Sequence, residues 1–149
     1  MSVDRPKPPA THPPALEKVI IAPDPVGPYA HAVRAAGLVF CSGQGARDPS
    51  TGKEAGVTTD GDGRVRAHDI RVQTEAALRN IAGVLDAAGT SWDRLVELTV
   101  YLKDMGDFAA MNEVYARRFP HGGPARTTIG VADLPADNFV EIRAVALSG

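Results

Sequence analysis

Residues 68–89, "HDIRVQTEAALRNIAGVLDAAG", narrow the fold more than any other part of the chain. Ile70, Thr74, Ala77, Leu78, Ile81, Val84 and Leu85 recur at helical spacing, which predicts an amphipathic helix with one apolar stripe. Asp69 is placed to cap the free amides of its first turn, and Gly89 to stop it in the left-handed region. A helix with a single apolar stripe has to bury it against another layer.

The flanking segments supply that layer as strands. "LEKVIIA" (16–22) reads as a short strand and "PDPVGPYA" (23–30) as a loop. "HAVRAAGLVFCSGQ" (31–44) predicts a hairpin turning at Gly37, with "LVFCS" a buried strand. Residues 45–68 are rich in turn formers, and "TDGDGR" predicts a small hairpin between "GVTT" and "RVRA". "RLVELTVYLKD" alternates as a strand. Asp107 is the expected cap of a second helix, "FAAMNEVYARRF", whose apolar side carries Phe108, Met111, Val114, Tyr115 and Phe119. Two strands around the "LPADN" turn close the chain.

The expected architecture is therefore α+β: a mixed sheet with both helices on one face. At 149 residues the chain has no further element to cover the other face, so self-association is expected. Residues 1–17, with five prolines in the first fifteen positions, form a proline-rich arm, and residues 18–149 a single domain.

The net charge is −2 with Lys and Arg scattered, so neither nucleic acid nor a membrane surface is an expected partner. Apolar runs fall far short of the ~20 residues that span a bilayer, and the N-terminus has no apolar core of a signal peptide. Cys41 is the one cysteine, and a cytoplasmic protein is expected. No metal is expected, since Asp60 and Asp62 lack the other ligand positions of a calcium loop. No cofactor is expected either: "GQGARDP" lacks the lysine and glycine spacing of a phosphate loop.

Arg126 and Glu141 stand out because each puts a charge into an otherwise apolar strand. Their plainer reading is an ion pair at strand ends or between subunits. Paired as an antiparallel hairpin about "LPADN", the strands would set Arg126 opposite Val145, with Glu141 on the same face roughly 14 Å along. That spacing suits a small molecule held between the two charges. Tyr29 sits on the stiff Gly-Pro-Tyr turn, Ser42 and Gly43 end a strand, Asn112 is a polar residue on an apolar helix flank, and Arg47 follows the Ser42 strand. Each also has a bland reading as a surface or capping group.

Taken together, "GPYAHAV", "FCSGQ", "TGK", "QTEAALRNIAGVLDAAG", "VYLKDMGDFAAMNEVYARRF", "GPARTTIGVADLP" and "VEIRAVA" resemble the RidA/YjgF family of enamine and imine deaminases, in order over residues 18–147. The resemblance implies a chorismate-mutase-like fold and a homotrimeric barrel with pockets between subunits; pairing of trimers into a hexamer stays open. It implies that Arg126 binds a substrate carboxylate, that Glu141 orients the hydrolytic water, and that Tyr29, Ser42, Gly43, Asn112 and Thr128 line the pocket. No cofactor is implied. Thr128 replaces the cysteine of many members, "GARDP" replaces an apolar residue and proline, and "AGVTTDGDGRVRAHDI" is long. With the basic Arg47, these features resemble the 2-aminomuconate deaminase branch, in which Arg47 and Arg126 would hold the two carboxylates of a six-carbon substrate. A general 2-aminoacrylate or 2-iminopropanoate deaminase and a non-catalytic ketoacid-binding trimer are the alternatives.

Overall fold

A computed structural model describes residues 15–149. Its elements run β1 (Glu17–Val19), β2 (Ala32–Ala35), β3 (Leu38–Gln44), β4 (Val57–Thr59), β5 (Val65–His68), α1 (Ile70–Ala87), β6 (Leu95–Leu102), α2 (Phe108–Arg118), β7 (Ala125–Gly130) and β8 (Val140–Leu147). The proline-rich arm lies outside the described residues except for its last three positions, of which Glu17 opens β1.

Local chemistry explains most boundaries. The β2–β3 hairpin pairs Ala35 with Leu38 across a two-residue turn. Ala36 and Gly37 both take positive φ there, 51° and 77°, as a turn matched to strand twist requires. Asp69 caps α1, its carboxylate accepting from the Arg71 amide at 2.9 Å and the Val72 amide at 3.4 Å. Gly89 ends that helix at φ 71°. Asp107 holds the N-cap position of α2 but does not cap it. Its carboxylate instead meets His68 Nε2 at 2.8 Å, tying β5 to the start of α2.

Six strands form one sheet in the order β1-β2-β3-β8-β6-β7, and β4 and β5 form a separate hairpin. The expected β7–β8 hairpin is absent. β7 joins β6 in parallel, with Leu98 beside Arg126, and β8 joins the other edge of β6 antiparallel, with Leu98 beside Ala144. The reason is the helix between β6 and β7: a strand–helix–strand crossover returns β7 parallel to β6 and fills that edge. β8 is left to enter between β3 and β6, so the strand that follows the other five in sequence is a central one.

Both helices cover one face. Val39, Cys41, Leu98, Val100, Leu102, Val140, Ile142, Ala144 and Ala146 point into a core completed by Leu78, Ile81, Val84 and Leu85 of α1 and by Met111 and Val114 of α2. Among the described residues no element covers the opposite face. Phe40 is 38% exposed and Leu147 is 45% exposed there, so β3 is half-buried rather than buried on both sides.

Polar side chains fasten the loops. Gln73, fully buried, donates to Ala55 O and Asp137 O and accepts from the Phe139 amide at 2.7 Å. Asn80 donates to Gly45 O and Arg47 O, and Asn138 Oδ1 accepts from the Ala46 amide at 2.7 Å.

Candidate active site

A cleft of about 940 Å³ opens where the end of β3 meets the start of β8, with Tyr29, His31, Ser42, Gly43, Arg47 and Glu141 among its lining residues. Its floor is made by an irregularity. Cys41 pairs with Ala144 but Gln44 pairs with Ile142, so β3 carries one extra residue at Ser42–Gly43. Glu141 lies directly over that bulge. A Cβ on Gly43 would stand 2.1 Å from Glu141 Oε1 and 2.8 Å from its Cδ, so only a glycine lets the carboxylate rest there.

Ser42 donates its hydroxyl proton to Ala30 O at 2.7 Å, which leaves only its lone pairs to face a ligand. Tyr29 is 47% exposed, and its ring folds back over Gly27, where an added Cβ would come within 2.9 Å of it. Arg47 lines the cleft from a loop held by its own backbone bridge to Glu54 and by Asn80. Arg79 of α1 lines the same cleft.

Glu141 is half-buried, and burial pushes its carboxyl above the ordinary glutamate value of 4.5; no hydrogen bond or cation among the described residues offsets that shift. A carboxylate so placed is a better proton acceptor near neutral pH than a solvated one.

The other expected site residues are elsewhere in the chain. Leu98, Arg126 and Ala144 are register partners and share the helix face, whereas Glu141 alternates to the open face beside Tyr101. The same-face placement expected from a β7–β8 hairpin is thus replaced by opposite faces. Arg126 donates to Asn112 Oδ1 at 2.8 Å, and its guanidinium lies 4.4 Å from the Tyr115 ring centroid and 5.9 Å from that of Phe108. Thr128, two residues on, shares that side, and its buried Oγ1 has no partner among the described residues. The bonded, stacked guanidinium keeps donors free for a planar anion.

The chain therefore holds two separate charged groups: a half-buried carboxylate at a cleft, and an oriented guanidinium on the reverse side of the sheet. Among the described residues no group of three His, Cys, Asp or Glu is arranged to hold a metal ion. His31, Arg79 and Asn138 escaped the sequence reading. The hairpin held a signal for His31, because the turn at Ala36–Gly37 sets it opposite Ser42. Arg79 and Asn138 reach the cleft only through the packing of α1 and of the loop before β8, for which no local pattern exists.

A family model described as Endoribonuclease L-PSP matches residues 19–148. The chain is similar to a RutC family protein of Pyrococcus horikoshii, with 44% identity over 84% of this chain and 90% of that one. It is similar to Reactive Intermediate Deaminase A, chloroplastic, of Arabidopsis thaliana, with 38% identity over 84% of this chain and 61% of that one. Among solved structures it matches E. coli TdcF with bound serine at a TM-score of 0.75 and 33% identity, covering 89% of this chain and all of that one. The E. coli YjgF gene product matches at 0.73 and 32%, covering 88% and 98%.

Proposed function

The chain belongs to the RidA/YjgF family, the family described as Endoribonuclease L-PSP, and on that premise we propose that it is a hydrolytic deaminase of enamine and imine carboxylates. The observation that carries this reading is Glu141, a half-buried carboxylate with no partner among the described residues, resting on the backbone of Gly43 at the floor of a cleft. An enamine substrate first tautomerises to the imine. Water then adds to the imine carbon, the C=N electron pair moves to nitrogen, and Glu141 takes the proton from water and hands it to that nitrogen. Glu141 then takes the hydroxyl proton of the resulting carbinolamine and delivers it to the amine nitrogen, the C–N bond breaks with its electron pair going to nitrogen, and a carbonyl and ammonia leave. One water is consumed and Glu141 ends as it began. The name of the Arabidopsis relative supports this reaction class.

Arg126 supplies the fork that grips the substrate carboxylate. Because it faces away from the Glu141 of its own chain, the Arg126 that serves a given cleft comes from a second copy. A closed ring of three copies supplies one Arg126 to each Glu141 and covers the open sheet face, where Phe40 pairs with Val145 and Leu38 with Leu147. RNA cleavage, the activity in the family description, fits less well. Asp24, Glu54 and Glu141 line the cleft against Arg47 and Arg79, a poor surface for a polyanion.

A second reading, 2-aminomuconate as substrate, is favoured by Arg47, which shares the cleft with Glu141 and could hold a second carboxylate. The test is to offer 2-iminopropanoate generated in situ and enzymatically made 2-aminomuconate, following ammonia release. Turnover abolished by Glu141→Gln and Arg126→Ala supports the deaminase. Turnover unaffected by Glu141→Gln overturns it, and turnover of the small imine alone removes the six-carbon substrate.

A further inference from the structure

His31 lines the cleft outside every role assigned above. It is 8% exposed, and its ring is oriented by Nδ1, which accepts the Ile21 amide at 3.2 Å. A nitrogen that accepts carries no proton, so the single ring proton sits on Nε2. Burial lowers the affinity of the ring for a second proton, against an opposing effect of Asp24. His31 is therefore an uncharged donor of fixed polarity. Among the described residues nothing accepts from its Nε2.

The hairpin register fixes where that donor stands. Ala32 pairs with Cys41, and both face the core. His31 and Ser42, one step along, alternate to the other side, joined by the Ser42 amide donating to His31 O at 2.9 Å. This is the side of Glu141. Since β2, β3 and β8 are adjacent and Glu141 lies two residues along β8 from the position level with Ser42–Gly43, the row from His31 through Ser42 to Glu141 is slanted and roughly 12 Å long. Across that row Glu141 accepts, Ser42 accepts because its own proton goes to Ala30, and His31 donates.

From this row we infer that His31 is a specificity residue, donating from Nε2 to an uncharged oxygen on the substrate's side chain, at the end remote from the reacting carbon. The inference rests on the deaminase reading and narrows its substrate class. Asp24 shares this end of the cleft and repels a second carboxylate, so an amide or hydroxyl oxygen is the fitting acceptor. A second carboxylate belongs instead with Arg47 and Arg79.

The test compares two imines of nearly equal shape, made in situ by an amino-acid oxidase from L-asparagine and from L-leucine. His31→Leu should lower kcat/KM on the asparagine-derived imine about tenfold while changing the leucine-derived one by less than about twofold, the value of one neutral hydrogen bond. His31→Gln, which restores an N–H donor, should recover most of the loss. Equal losses on both imines, or a loss on neither, would overturn the assignment. The same variants are to be titrated calorimetrically with 2-oxosuccinamate and 4-methyl-2-oxopentanoate. If the wild type hydrolyses neither imine, the reaction class fails. His31 then stands or falls on whether His31→Leu selectively weakens binding of 2-oxosuccinamate.

Discussion

Arg126 and Glu141 lie on opposite faces of one sheet, on strands separated only by β6. A chain that uses both on one substrate has to borrow one of them from a neighbour. Arg126→Ala and Glu141→Gln should each be inactive alone. Refolded together from denaturant, they should regain activity, to about one quarter of wild type if three-membered rings assort at random. Separately refolded and unmixed samples serve as the baseline. No recovery, in rings shown by mass to be mixed, would place both residues in one subunit's site.

Glu141 must be ionised to accept a proton, and burial raises its pKa. The acid limb of the kcat/KM profile should therefore have its midpoint above 4.5, with activity rising as pH rises through it. The limb should vanish from any residual rate of Glu141→Gln. Stability runs the other way. A raised folded-state pKa gives a contribution that is full below the unfolded value and lost as pH rises through the folded one. Glu141→Gln should accordingly melt at or above the wild-type temperature at neutral pH. The advantage should shrink on acidification, measured by calorimetry at several pH values.

Gly43→Ala tests whether the bulge seats the carboxylate. The new methyl would collide with Glu141 Oε1, the movable end of a side chain, so the fold should survive while the carboxylate shifts. A displacement of this kind should cost on the order of 10²-fold in kcat. Added to Glu141→Gln it should cost almost nothing more, since the two changes act through one group.

Arg47→Ala separates the substrate readings. With 2-aminomuconate as substrate it should raise KM by tenfold or more, roughly the value of one charge-assisted contact, and leave the KM for 2-iminopropanoate nearly unchanged. An equal rise for both substrates would make Arg47 a support for its loop rather than a ligand for a carboxylate.

Gln73→Leu addresses the loops around the cleft. It would strip partners from Ala55 O, Asp137 O and the Phe139 amide together. The expected loss of stability is on the order of 3 kcal/mol, read by denaturant titration, because buried backbone groups are left unpaired.

Much of this architecture is legible in the sequence. The stripe from Ile70 to Leu85, the cap at Asp69, the turn at Ala36–Gly37 and the two-helices-on-one-face layering follow from local spacing and backbone preference. The pairing of β8 was not legible, because an apolar strand carries no mark of which edge it joins. The hairpin assumption chose the nearer neighbour in sequence, and the crossover through α2 had already filled that edge. Arg126 and Glu141 drew notice as charges in apolar strands. That they face apart depends on both strands sharing β6 as a neighbour. Asp107 shows the limit of local rules: a good capping residue at the capping position spends its carboxylate on His68, which is 39 residues away.

Because β8 follows the other five strands of its sheet in sequence and yet sits at the centre, the sheet cannot assemble in the order of synthesis. Until residues 140–147 are available, β1-β2-β3 and β6-β7 are two ribbons with bare edges, held together only by what the helices offer. The closing step joins segments far apart in sequence, which makes it the slow one and leaves those edges open to mispairing with other chains. The same step brings Glu141 to Gly43, so the carboxylate takes its seat in the cleft only when the sheet is sealed. A truncation that removed β8 would not yield a folded, inactive protein but one prone to aggregate.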